Sequence, residues 1–305
     1  MAGTTQSPSS AHRQASPDYW SDIARQWNLL GAPLRPCEQD LQFCADAIAQ
    51  AVQAQRPLRV VILGVTPELY QLALAHQANV SAVDRSQAMI DVIWPGPRAA
   101  AIRGDWSDLP FETAARDVVL CDGGAITLPY PHGLRRLAAE VKRVLAPGGR
   151  CVIRTFVQPP DHENADDVLR DLVRGHVPNT NVLKLRLGMA LQQHTSDGVL
   201  LAEVWNALNH VAPDLTRLAN QIGWIPEQLL AINSYRDCQN RYSFHTLDEF
   251  VEPFVEQTGG FIVESVRVPD YVLGDRCPTV IFHRNDVPVV DDLGGAVTSR
   301  PHFKL

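Results

Sequence analysis

RVVILGVTPELYQLALAHQANVSAVD, residues 59–84, decides the architecture. An unbroken apolar run, Val60-Val61-Ile62-Leu63, drives into Gly64, and the pattern predicts a helix from Pro67. A second strand, Asn79 to Val83, ends in Asp84. A strand that is apolar throughout suits a parallel sheet buried on both faces by crossover helices. The segment between carries Leu69, Leu72, Ala73 and His76 on one helical face. Ligands in such folds bind outside the carboxyl ends of the strands, where the first loop is usually rich in glycine. Here one glycine is followed by Val65, Thr66 and Pro67. Thr66 suits a helix N-cap and Pro67 the first helical position, so the loop is well formed in another way.

The alternation continues. A third strand, Ala100 to Arg103, leads to Gly104-Asp105-Trp106, and a fourth, Asp117 to Cys121, leads to Asp122-Gly123-Gly124. A helix bearing Leu134, Leu137, Val141, Val144 and Leu145 stops at Ala146-Pro147-Gly148-Gly149, before a fifth strand from Arg150 to Val157. Residues 161–242 read as successive helices with no strand. Thr246-Leu247-Asp248-Glu249 matches a capping box. Two final strands, Phe261 to Val268 and Thr279 to His283, are too close for a helical crossover and are expected to be antiparallel. The expected organisation is a disordered tail at 1–16, covering helices at 17–56, a core at 57–160 and 243–285, a helical insertion at 161–242, and a second tail at 286–305.

The 305 residues carry a net charge of −7 with no basic block, which argues against nucleic-acid binding. No apolar run reaches membrane-spanning length. Six scattered cysteines without a C-x-x-C pair point to a reducing cytosol and no structural metal. The acids around Asp161-His162-Glu163, with Asp166 and Asp167, suit a helix amino end better than a metal site.

Three strand ends carry candidate chemistry. Gly64 leaves room for close approach of a ligand to the backbone. Asp84, 20 residues on, suits the two hydroxyls of a ribose. Asp105 suits an adenine amino group, with Trp106 or Met89 covering the ring. VVILG at 60–64, AVDRSQAMI at 82–90, GDWSDLPF at 104–111, DVVLCDGG at 117–124 and VKRVLAPGGRCVI at 141–153 carry a resemblance. Together they resemble the class I S-adenosylmethionine-dependent methyltransferases. The resemblance implies an α/β fold: a Rossmann-like seven-stranded sheet, last strand antiparallel, between helix layers, with the insertion as a substrate lid. It implies S-adenosyl-L-methionine as cofactor and S-adenosylhomocysteine as product. The expected cofactor-binding residues are Gly64, Thr66, Glu68, Asp84, Arg85, Met89, Asp105, Trp106, Asp122 and Gly123.

The sequence departs from the family at its first loop, usually D/E-x-G-x-G-x-G. Ile62 stands in the place of the acid, and Glu68, in the first turn of the following helix, is the candidate to replace its charge. Tyr235, Arg241 and Tyr242, at the exit of the insertion, are candidate contacts to a small-molecule acceptor, and His245 is a candidate general base. Tyr19 and Trp20 are placed to close over the cofactor. Two alternatives share these features. One is an NAD(P)-dependent oxidoreductase, which fits Gly64 and Asp84 but lacks G-x-G-x-x-G. The other is a protein that binds S-adenosylmethionine or S-adenosylhomocysteine without methyl transfer.

Overall fold

Val60, Ile62, Val118, Leu120 and Val152 point to one side of a sheet, and Val61, Leu63, Val119, Cys121, Cys151 and Ile153 to the other. Strict alternation of side chains divides each apolar run between two cores, which is why no polar face is left over. The structure is a computed structural model that describes residues 17–51 and 56–285. The tails assigned to 1–16 and 286–305 lie outside the described residues.

The strands in chain order are β1 (Arg59–Leu63), β2 (Asn79–Asp84), β3 (Ala101–Arg103), β4 (Arg116–Asp122), β5 (Leu145–Arg154), β6 (Val199–Leu200), β7 (Arg241–Tyr242), β8 (Phe261–Arg267) and β9 (Thr279–Arg284). Seven of them form one sheet in the order β3-β2-β1-β4-β5-β9-β8. The neighbours from β3 to β5 are parallel, and β9 runs antiparallel to both β5 and β8. The antiparallel ending is as the short connection between the last two strands predicts.

The helices are α1 (Pro17–Arg25), α2 (Glu38–Gln50), α3 (Pro67–Ala75), α4 (Gln87–Ile93), α5 (His132–Val144), α6 (Ala165–Val173), α7 (Thr180–Leu191), α8 (Leu201–Val211), α9 (Leu215–Ile222), α10 (Pro226–Leu230) and α11 (Leu247–Glu252). Residues of α1 to α4 join one core together with much of the insertion; those of α5 and α11 join the other. The capping box at α11 forms as read. The Thr246 hydroxyl accepts from the Glu249 N–H at 3.2 Å, and the Glu249 carboxylate accepts from the Thr246 N–H at 2.8 Å.

Two readings need correction. The insertion is not purely helical, because β6, midway along it, pairs antiparallel with β7 at its end. Two residues of pairing are too short to leave an alternation in the sequence. The fifth strand begins at Leu145, and its register with β4 shifts before Arg150, so the Pro147-Gly148-Gly149 turn sits within the strand as an irregularity.

Candidate functional site

The carboxyl ends of β1, β2 and β4 open into a cavity enclosing about 180 Å³. Gly64 lies on its wall with φ +98°, a left-handed conformation that a side chain would strain. Asp84 ends β2, and its Oδ1 accepts the Ser86 N–H at 2.7 Å. Burial pushes its carboxyl up to about 6, against the pull of that bond and of Arg85. Asp105 turns on Ser107, whose N–H and hydroxyl both donate to Oδ1 at 2.8 Å. The Trp106 indole N–H donates to the Val83 carbonyl at 2.8 Å and fixes the ring against the strand ends. A Cβ on Gly124 would stand 2.5 Å from that ring, so the glycine makes room for the indole.

Thr66 occupies the N-cap position of α3, but its side chain makes no capping bond. It is buried and lines the cavity, as do Arg85, Met89, Asp122 and Gly123. These residues share one cavity wall, but the N-cap role of the Thr66 hydroxyl is not what the structure has.

Asp122 is set by a residue the sequence reading passed over. Arg154, on β5, is 2% exposed and donates to the Asp122 carboxylate. It also donates to the Pro33 carbonyl at 2.7 Å and the Tyr271 hydroxyl at 3.2 Å, with Asp40 at 3.8 Å. Burial pushes the Asp122 carboxyl up, and the guanidinium opposes it. One guanidinium thus joins the end of β4, the segment before α2 and the loop between β8 and β9. A cation inside the apolar run CVIRTFV, residues 151–157, was the available signal.

The remaining wall comes from outside the sheet. Tyr19, Trp20 and Ile23 of α1, then Trp27 and Leu34, face the cavity. Lys184 of α7, with Tyr235 and Tyr242, completes it. The hydroxyls of Tyr19 and Tyr242 are hydrogen-bonded to each other. Lys184 was also missed. It sits in a helix buried nearly all round, Thr180–Leu191, where a lone lysine is out of place.

Three predicted residues are not brought to the cavity. Glu68 pairs with Arg35, whose Nε donates to Oε1 at 2.8 Å. Arg241 is exposed, and its guanidinium reaches the Asp197 carbonyl at 3.2 Å. His245 is fully buried, with its ring 5.3 Å from that of Tyr130 and 6.2 Å from that of Phe250. Neither ring nitrogen has a hydrogen-bond partner, and burial lowers its pKa to about 4. The inward turn has a backbone cause. Gln192 clamps the Phe244 N–H and carbonyl at 2.8 and 2.7 Å, and the Gln158 N–H donates to the His245 carbonyl at 2.8 Å. The acids near 161–167 have protein partners too: Glu163 pairs with Arg186 and Arg276. Among the described residues, no group of three or more His, Cys, Asp or Glu is placed to share a metal ion.

Residues 62–153 match the family described as "Methyltransferase domain". Among curated proteins, the chain is 33% identical over 119 residues to a demethylmenaquinone methyltransferase of Clavibacter sepedonicus, covering 37% of this chain and 47% of that one. It is 39% identical over 83 residues to a phthiotriol/phenolphthiotriol dimycocerosates methyltransferase of Mycobacterium tuberculosis, covering 26% of this chain and 30% of that one. The chain therefore spans half or less of the length of these curated relatives. Among solved structures, one from Rhodobacter sphaeroides named for Zn-dependent alcohol dehydrogenases superposes with a TM-score of 0.58 at 16% identity, covering 88% of this chain and 97% of that one. At that identity the likeness speaks to the fold alone. The matched segment at 62–153 runs from the end of β1 into β5, so over the parallel half of its sheet the chain is similar to methyltransferase domains.

Proposed function

We propose that the protein transfers a methyl group from S-adenosylmethionine to a small-molecule acceptor in the cytosol. The observation that carries this reading is the convergence of Gly64, Asp84, Asp105 and Trp106 on one cavity, whose far wall comes from α1 and the insertion. S-adenosylmethionine, when bound, supplies an electrophilic methyl on a sulfonium. The residues fit it. Gly64 offers a wall without a side chain, and the buried Asp84 carboxylate is suited to accept from both ribose hydroxyls. The free oxygen of Asp105 suits an adenine amino group, while Trp106 and Met89 cover the ring. The amino end of α3 with the Thr66 hydroxyl suits a carboxylate. α1, the segment after it and the insertion then act as the cover that aligns the acceptor for in-line displacement and excludes water. Calorimetry with S-adenosylhomocysteine and with NAD tests the reading. Binding of the first and not the second is expected; the reverse would overturn it.

The raised pKa of Asp84 gives a pH signature. Its carboxyl is ionised above about 6, where it accepts from the ribose, and protonated below. A proton therefore competes with the ribose. S-adenosylhomocysteine affinity is expected to hold above pH 7 and to fall towards tenfold per unit below about 6. Asp84→Asn should flatten that fall. A slope that survives the substitution would belong to another acid.

The Glu68 hypothesis meets its test here. Because Arg35 pairs with Glu68 through Oε1, Glu68→Gln is expected to change S-adenosylhomocysteine affinity by less than about threefold, the scale of a weak ion pair. A loss of more than about tenfold in calorimetry, the size of a charge-assisted hydrogen bond, would instead put the carboxylate on the cofactor's ammonium.

A further inference from the structure

Lys184 presents an uncompensated positive charge to the cavity. It is 4% exposed, and no carboxylate pairs with it among the described residues. Its recorded partner is the face of Tyr235, with Nζ 5.1 Å from the ring centre. The acids that line the cavity, Asp84, Asp105 and Asp122, all stand at strand ends and are engaged with Ser86, Ser107 and Arg154. Burial alone moves the ammonium, down to about 8, with no carboxylate holding it up. The phenols around it cannot supply the missing charge. Burial raises Tyr19 and Tyr235 well above the usual range and Tyr242 to about 12, so all three are neutral. A buried ammonium facing only an aromatic ring and neutral hydroxyls costs free energy unless a ligand brings the anion.

Its position says which ligand. β7 packs beside the turn that follows β4, where the Ser243 N–H donates to the Ile126 carbonyl at 2.8 Å. Tyr242 therefore stands beside the turn that follows β4, and Lys184 and Tyr235 line the same cavity as Asp122 and Gly123. The same three residues with Leu34 also line a smaller adjoining space, otherwise apolar and closed by Leu185, Val204 and Phe244. Elsewhere on the cavity wall, Trp20, Trp27 and Leu34 offer apolar surface. A cofactor with a sulfonium and an ammonium adds positive charge to this cavity. An anionic acceptor would be attracted to both, and a cationic amine repelled by both.

We propose that Lys184 holds an oxyanion of the methyl acceptor, which is an apolar small molecule bearing a carboxylate or an ionised phenol or enol. The proposal rests on the methyl-transfer reading for the word acceptor, but the anion site itself does not. The probes are naphthalene-1-carboxylate against its amide, and 4-nitrophenolate against 4-nitroanisole. Each is titrated into the full chain, with and without saturating S-adenosylhomocysteine. At least one anion should bind about tenfold or more tightly than its neutral partner, the size of a charge-assisted hydrogen bond. The pair that responds tells carboxylate from phenolate. Lys184→Met should erase the preference and Lys184→Arg restore part of it, with the melting temperature and S-adenosylhomocysteine affinity of both variants reporting that they fold. Equal binding of anion and neutral partner, no binding of either anion, or a preference that persists in Lys184→Met overturns the proposal. A preference seen while S-adenosylhomocysteine fails to bind leaves the anion site standing and removes the cofactor reading.

Discussion

Asp84→Ala is expected to weaken S-adenosylhomocysteine binding about a hundredfold, with no fall in melting temperature. Two ribose hydroxyls donating to a buried carboxylate contribute about 1.5–3 kcal/mol each, and about 3 kcal/mol together is roughly a hundredfold in affinity. The stability half of the prediction comes from the sign of the pKa shift. The folded state raises this carboxyl to about 6 through burial, so its ionisation above that pH costs folded-state stability, and the cost grows as pH rises from the unfolded value through the folded one. Removing the group relieves that cost and gives up one bond from Ser86. Calorimetry and thermal melting at pH 7.5 read the two halves separately. A variant that binds as the parent does would remove Asp84 from the site. One that melts far lower would make it a structural acid.

Arg154→Met is expected to have the largest effect on stability. The side chain is 2% exposed and satisfies Asp122, the Pro33 carbonyl and Tyr271, with Asp40 close by. Removing one partner of a buried ion pair leaves the other charge unpaired, at about 3–5 kcal/mol. Asp40 keeps partners in the Cys37 N–H and the Tyr271 hydroxyl, so the unmet charge is mainly that of Asp122. The urea midpoint should therefore fall sharply in Arg154→Met and recover in part when Asp122→Asn is added, since the double variant has no orphaned carboxylate. Losses that simply add would show that the arginine acts by packing alone. The single variant should also lose S-adenosylhomocysteine affinity, because the segment over the cavity is tied to the strand end through Pro33.

How much of this could be read from the residues depends on the range over which each signal acts. Strands β1 and β4 are written in local apolar runs, and the reversed pair at the end in a connection too short to cross over. Gly64, Asp84, Asp105 and Trp106 fall at strand ends, which the fold brings to one edge, so their spacing sufficed. Lys184 and Arg154 were missed because what marks each is what it faces, and those partners lie far away in sequence. His245 and Arg241 were misplaced by the reverse error: they sit near Tyr242 in the chain, but side chains alternate along an extended segment, and Gln192 turns the next residues inward. Glu68 was placed correctly on the first turn of α3, yet its neighbour Arg35 comes from a segment with no strong periodic signal.

The reversed strand has a consequence for how the chain is made. β9 lies between β5 and β8, although β8 precedes it in sequence. As the chain leaves the ribosome, β8 emerges with no place in the sheet, and the edge of β5 stays open until Thr279–Arg284 arrives to join them. Closure must therefore wait for a strand more than a hundred residues downstream of β5, a pairing of high contact order that is slow by nature. Until then β5 presents unpaired backbone to any other nascent chain. A stall or truncation before residue 279 should yield aggregates, not a smaller folded enzyme, and the yield of soluble protein should respond to translation speed in this last segment more than anywhere earlier.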